Sequence, residues 1–419
     1  MKGRTILLAL VVGALAVAAS TAGATVDRPT ASHAKAANTL TVWLQVDAKS
    51  GWPEAVAAAN AQFQQDHPGW NVNVQYQDWP SHLQKFDATL AANTAPDVIE
   101  MGNTEMAKYM AAGAFADLTS KKSSFANSAN WLKGLAASGV YAGKLYGVPY
   151  YAGSRVVTYR TDLWKKAGIK GLPTSLAQFT ADAKKLGAMN KDKGFSPVYV
   201  AGEDWYVAMS FVYDYGGQIA ARKRGNWVGT LDSKKAMAGL AAYKAFFDAA
   251  SRASKTTIES RPNPYDVYAQ GNAASMIGQG WFTCCTGNYK AQTAQFVMPS
   301  HTKGLAMPGF LGGSDLAVPV TSSNKNEAAD WIKDFTDTGS EKVFQAKGNI
   351  PNATNLLGNS VNERAAARSW FVPWAKNWAD VDNGSILRNM LGEILTGKLT
   401  IKQAASSASD NITAVLNGS

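Results

Sequence analysis

Cysteine is almost missing from this 419-residue chain: the only two, Cys284 and Cys285, stand side by side in ASMIGQGWFTCCTGNY. Adjacent thiols do not supply the CxxC spacing of a zinc ribbon or a thioredoxin-like redox centre. Histidine is also scarce, and the four present (His33, His67, His82 and His301) fall at no metal-ligand spacing. No metal and no other cofactor is therefore expected. Charged residues make up only 17% of the chain. Beyond the N-terminus no apolar run approaches the roughly 20 residues that a membrane span needs. There is no GxSxG, no HExxH, no P-loop and no GxGxxG set between strand and helix, so the common hydrolase and nucleotide-binding signatures are lacking.

The N-terminus does carry an apolar run. Lys2 and Arg4 precede the uncharged residues 6–19, and Ala22-Gly23-Ala24 offers a small-x-small cleavage site, the layout of a secretory signal peptide. An uncleaved N-terminal anchor is the other reading. A second cleavage site, Ala34-Lys35-Ala36, lies close to where folded sequence begins. Residues 1–37 are thus expected to be signal peptide and linker, and the rest an exported protein, cell-surface associated or periplasmic. No cysteine stands near either site, so no lipid is expected there. What remains is too long for one ordinary core and implies two domains or lobes. The formal charge of +10 falls to about +7 without Lys2, Arg4, Asp27, Arg28 and Lys35. The remaining basic residues are scattered, and the densest run, Arg222-Lys223-Arg224, is short. The aromatic–basic interleaving of single-strand binders is missing, so no nucleic-acid partner is expected.

Tryptophan and tyrosine, by contrast, are abundant: 13 and 15 residues. Many sit in polar, glycine-flanked stretches such as YQDWPS, GEDWYV, GQGWFT and WFVPWAKNW. Some must pack in the core, the usual fate of an aromatic. Placed among Asp, Asn and Gln, however, they also suit a sugar. The C–H face of a pyranose stacks on an aromatic ring while its hydroxyls need planar acceptors and donors.

Alternation and β-branched content predict a strand over residues 38–46 (NTLTVWLQV). A helix follows from Pro53, then a strand in WNVNVQYQDW, a second helix, and the apolar strand in DVIEMG. This β-α-β-α-β order implies parallel strands with crossover helices and hence an α/β fold. Ligands of such sheets bind outside the carboxyl ends of the strands. Three loops converge there: residues 45–52, 77–80 and 102–105. Glycine- and proline-marked interruptions recur near residues 150–153, 310–313 and 347–349. No internal repeat is evident.

Taken together, LTVWLQ, PDVIEMG, YGVPYYAGSRVVTYRTDLWKKAGI, GNAASMIGQGW, GGSDLAVPVTSSNKNEAADWIKDF, GNIP and GKLTIKQA resemble, in order and spacing, the solute-binding proteins of carbohydrate ABC importers, the maltose-binding-protein-like group. The resemblance covers nearly the whole exported chain. It implies a type II periplasmic-binding-protein fold with a hinge of several crossings, the N-terminal lobe being 38–152 plus 312–347 and the C-terminal lobe 153–311 plus 348–419. It further implies a sugar, a di- or oligosaccharide, held between the lobes by a monomer and delivered to a membrane permease. By position, the ligand-binding residues would be Gln45 and Asp47 after the first strand, and Asn103, Thr104 and Glu105 after the third. The strand-end Trp281 and the block Glu203, Asp204 and Trp205 would face them. Trp79, Tyr151, Arg155, Asp315 and Trp374 complete the expected set. Many relatives from Gram-positive bacteria carry a lipobox cysteine that is lacking here.

Two rival readings remain. A secreted glycoside hydrolase needs two carboxylates about 5–10 Å apart, and Asp47, Glu105, Glu203 and Asp204 are candidates. A lectin would more naturally be a β-sandwich. An exported chain meets an oxidising environment, which leaves two states open for the cysteine pair: a disulfide between neighbours, or two buried thiols. Such a bridge would barely constrain the unfolded chain, so it would not serve as a stability device. It could stiffen the loop after Trp281.

Overall fold

The computed structural model describes residues 38–373 and 375–418. The expected signal peptide and Trp374 lie outside these residues. No helix among the described residues is long and apolar enough to cross a membrane.

The chain opens with β1 (Asn38–Gln45), α1 (Val46–Gly51), α2 (Pro53–Asp66), β2 (Trp70–Gln77), α3 (His82–Ala91) and β3 (Val98–Gly102). β1 pairs in parallel with both β2 and β3, so the crossover pattern expected from the sequence is present. β3 is buried throughout, whereas β2, at the sheet edge, alternates half-buried and exposed residues. That is the difference between a strand covered on both faces and one exposed to water. One detail departs from expectation: the segment after β1 is not an open loop but the short helix α1, with Asp47 in its first turn.

The large sheet is completed by strands from far along the chain, in the order Ile350–Pro351, Gly147–Gly153, Gly312–Ala317, β3, β1, β2. The three added strands are antiparallel to their neighbours. A second, antiparallel sheet is formed by Ser275–Gln279, Arg155–Arg160 and Thr293–Phe296. Around it pack Leu176–Met189, Trp205–Asp214, Lys234–Ala250, Ile386–Thr396 and Ile401–Asn417. Side-chain caps start four of these helices, at Ser175, Asp204, Ser233 and Thr400.

The chain passes between the two sheets at tight points. Ser154 separates Gly147–Gly153 from Arg155–Arg160, and Leu311 separates Gly309–Phe310 from Gly312–Ala317. At the second point a Cβ on Gly313 would stand 2.3 Å from the Tyr151 carbonyl oxygen, and one on Gly309 2.3 Å from Ser154 Oγ. At Gly313, where the neighbour is backbone, only glycine fits. The third crossing lies later than the expected 347–349. Ile350 and Pro351 still pair with Gly147–Gly153, and Asn352 Nδ2 donates to the Pro149 carbonyl at 3.0 Å. Buried Asn362 ties the crossings together. Its Oδ1 accepts from Ser154 N–H at 2.8 Å and its Nδ2 donates to the Gly348 carbonyl at 2.7 Å.

Trp52 sits where these elements meet. It is fully buried, donates its indole N–H to the Tyr150 hydroxyl, and meets Tyr150, Tyr151, Phe344 and Trp281 edge-on at centroid separations of 5.2–6.1 Å. Trp281 follows the second sheet, so this aromatic knot joins both bodies. Trp52→Ala is expected to cost about 3–5 kcal/mol of folding free energy, read from urea unfolding. A loss under about 1 kcal/mol would mean that the knot is not part of the cooperative core.

Candidate ligand-binding cleft

A cavity of about 550 Å³ lies between the two bodies, within the usual range for a ligand site. On the large-sheet side the carboxyl ends of β1, β2 and β3 place Asp47, Trp79 and Asn103–Glu105 together, as the parallel arrangement requires. Trp79 donates its indole N–H to Asp47 Oδ2 at 2.6 Å. Glu105 Oε2 accepts from Gly102 N–H at 2.8 Å and faces His82 Nε2 at 3.0 Å. The other ring nitrogen of His82 meets the Trp79 carbonyl at 2.7 Å. Burial opposes a charge on His82, but Glu105 and that carbonyl outweigh it and its pKa is raised. Both ring nitrogens thus face acceptor oxygens, an arrangement that favours the protonated ring.

The opposite wall is built on the N-terminus of Trp205–Asp214. Asp204 caps that helix, its Oδ1 accepting from Val207 N–H at 3.1 Å. One residue on, the helix turns Trp205 inward and Tyr206 toward the cleft, their rings stacked at 3.9 Å. The Arg155 guanidinium lies over Tyr206 at 4.4 Å and near Phe310 at 5.5 Å. Further along, Arg388 bridges Glu259 and Asp382, each at 2.5 Å. At the rim, Arg261 pairs with Asp78 across the mouth.

Burial sets the electrostatics. It pushes Asp47 up to about 6 despite the Trp79 hydrogen bond, and Asp204 up to about 6 despite Arg155. Glu100, behind the cleft, is pushed up to about 7. Such carboxylates sit in dry surroundings and gain from any donor that a ligand brings. Among the described residues, no group of three or more His, Cys, Asp or Glu could hold a metal ion.

The family model for bacterial extracellular solute-binding proteins matches residues 44–341. The chain belongs to that family. It is 31% identical over 376 residues to the diacetylchitobiose binding protein DasA of Streptomyces coelicolor, covering 87% of this chain and 86% of that one. A lactose-binding protein of Rhizobium radiobacter is 26% identical over 285 residues, 64% of each chain. Among solved structures, the GacH receptor of Streptomyces glaucescens superimposes with a TM-score of 0.78 at 19% identity, over 91% of this chain and 99% of that one. Maltose-bound MalE3 of T. maritima gives 0.77 at 19% identity, over 91% and 100%. The two bodies are thus the two lobes of a maltose-binding-protein-like fold.

In this solute-binding protein the cleft wall includes Asp47, Trp79, Asn103, Thr104 and Glu105 of the expected residues. Tyr151, Arg155, Asp204 and Trp281 line it as well. Others lie elsewhere. Gln45, last in β1, is buried beside Glu100, to whose carboxylate its N–H donates. Asp315 is fully buried within its strand, accepting from Ser138 Oγ at 2.6 Å. Glu203 packs toward Gly392 of the C-terminal helices. Trp205 is wholly buried and supports Tyr206 from behind. Trp281 lines the cleft but is only 1% exposed, its faces taken up by Trp52, Tyr265 and Phe282. The sulfurs of Cys284 and Cys285 are bonded to each other, and Cys284 packs against the core that holds Trp281.

Tyr206, Phe310, Glu259, Asp382 and Arg388 were not expected from the sequence. Only Tyr206 had a local signal: if Asp204 caps a helix, the next two residues point about 100° apart and cannot both face the ligand.

Asp315 yields a test of this buried electrostatics. Its pKa is pushed up to about 7 by burial, against the Ser138 hydrogen bond. The unfolded residue titrates near its ordinary value, so between the two the folded protein holds more protons and stability falls as pH rises. From about pH 5 to about pH 8 the melting temperature should drop more steeply in the natural protein than in Asp315→Asn. Equal slopes would show that Asp315 is ionised at no cost in the fold.

Proposed function

We propose that this solute-binding protein holds a sugar of two or more rings in the cleft and delivers it intact to the permease of an ABC importer. The observation that carries this reading is the facing of two walls. On one side the half-buried Tyr206, stacked on the buried Trp205 and carrying the Arg155 guanidinium, forms an aromatic–cationic surface at the cleft wall. On the other, Asp47, Asn103 and Glu105 present planar polar groups held by their own hydrogen bonds. Ring stacking supplies affinity, and fixed acceptors choose among hydroxyl geometries. Its relatives, a diacetylchitobiose binding protein and a lactose-binding protein, support a carbohydrate ligand.

The engagement of the carboxylates supports binding rather than hydrolysis. Glu105 is held by the His82 ring and a backbone amide, Asp204 caps a helix, and Glu259 and Asp382 share Arg388. Cleft carboxylates outnumber its two arginines, a balance that repels phosphate backbones. In this reading the protein acts as a monomer outside the cytoplasm, and the lobes divide where the strands change sheet, after Gly153, at Leu311 and beyond Pro351. Closing around ligand shifts the population toward the form that a permease engages.

The test is a thermal-shift screen with mono-, di- and oligosaccharides, each sugar recovered and checked for cleavage. An intact sugar that raises the midpoint is expected; a cleaved one would make the chain a hydrolase, and no shift with any sugar would remove the carbohydrate reading. Tyr206→Ala should weaken the best ligand by about 2 kcal/mol or more, measured by calorimetry. An unchanged affinity would place the stacking platform elsewhere.

A further inference from the structure

His82 opens α3 and is 1% exposed, whereas His67 and His301, the other histidines among the described residues, reach solvent. It does not line the cleft but stands behind the wall, between two segments that do. Its Nδ1 meets the Trp79 carbonyl at 2.7 Å, in the loop after β2, and its Nε2 meets Glu105 Oε2 at 3.0 Å, after β3. The ring also lies edge-on to the Trp79 indole at 5.1 Å. Trp79 in turn donates to Asp47 Oδ2 at 2.6 Å, in the helix after β1. A chain of contacts therefore runs from Glu105 through His82 and Trp79 to Asp47, and spans the carboxyl ends of all three parallel strands.

The chain needs a ring with two donors. A neutral imidazole has one N–H, so with an acceptor oxygen at each nitrogen one of the two contacts fails. The surroundings favour the protonated form. Burial opposes it, but Glu105 directly, the Trp79 carbonyl and Glu100 on β3 outweigh burial and raise the pKa of the ring. Asp47 stands beyond Trp79, and Lys85, one turn along α3, donates to Gln77 Oε1 at 3.4 Å. Without the ring, Glu105 Oε2 keeps only the Gly102 N–H at 2.8 Å, and the Trp79 carbonyl loses this partner.

We infer that His82 is a positioning residue that couples the three segments of this wall, so that Asp47, Trp79 and Glu105 meet a sugar as one unit. This rests on the sugar-binding reading above. A sugar hydroxyl that shifts Glu105 shifts the ring, and through the Trp79 carbonyl it shifts the indole that holds Asp47. A contact made at one segment thus sets the geometry at the other two. Residues joined in one hydrogen-bond network respond to change together, whereas unconnected ones respond independently.

The test is a double-mutant cycle on the full exported protein, read by calorimetry with the di- or oligosaccharide that gives the largest midpoint shift in the screen. Asp47→Asn and Glu105→Gln are combined in the natural background and in two His82 variants. The amide of His82→Gln stands in for Nε2 toward Glu105, and that of His82→Asn for Nδ1 toward the Trp79 carbonyl. Each variant therefore breaks the chain at a different link. In the natural protein the two losses are expected to depart from additivity by about threefold or more in affinity. In each His82 variant they should add, and the variant alone should bind the sugar about tenfold more weakly. A ring with a merely structural role would lower affinity and leave the coupling intact, which overturns the inference, as would additive losses in the natural protein. NMR titration of the natural protein needs no variant to fold: His82 should keep its proton to a higher pH than a free histidine does. Loss of that proton at or below the ordinary value would overturn the coupling while the sugar-binding reading stands. If no sugar binds in the screen, that reading fails and the coupling with it.

Discussion

Everything in the cleft depends on the aromatic knot at its base. Trp52 reaches from the loop after α1 to the strand Gly147–Gly153, to the helix Thr338–Ala346 and to Trp281 of the other lobe. Because edge-to-face rings pack closely at fixed angles, the knot sets how near the two walls stand. That spacing keeps water out of the floor and leaves Asp47 and Glu100 desolvated. A looser contact would hydrate the carboxylates and return them to their ordinary range.

Above this floor, the two walls divide the work. The wall built by β1, β2 and β3 carries hydrogen-bonding groups, each immobilised by a neighbour: Asp47 by Trp79, Glu105 by His82 and Gly102, Asn103 by Leu311. The wall built on Trp205–Asp214 carries the flat surface, with Tyr206 held between Trp205 and the Arg155 guanidinium. Groups held in place before the ligand arrives lose little freedom on binding it.

The sequence showed much of this and missed some of it for identifiable reasons. Strand alternation and helix punctuation located β1, α2, β2, α3 and β3, since each element follows from local periodicity. The loops at their carboxyl ends followed from topology, so Asp47, Trp79 and Asn103–Glu105 could be named. Residue type alone was a poorer guide in the second lobe. Trp205 and Tyr206 are neighbours with opposite fates, decided by helix rotation rather than composition. Glu259 reaches Asp382 and Arg388 across a chain separation of more than a hundred residues, with no aromatic or glycine signature to mark the three. The third crossing was misplaced because Gly348 looks like a breaker, while the pairing of Ile350 and Pro351 depends on a distant strand.

The raised pKa values of Asp47 and Asp204 bear on the heat of binding. Near pH 6 each site is divided between its neutral and ionised forms. A ligand hydroxyl that donates to a carboxylate favours the ionised form, so occupancy expels protons into the medium. The enthalpy recorded for the same ligand then differs between buffers, because each buffer absorbs those protons with its own heat. Above pH 8 the sites are already ionised, and the difference between buffers vanishes.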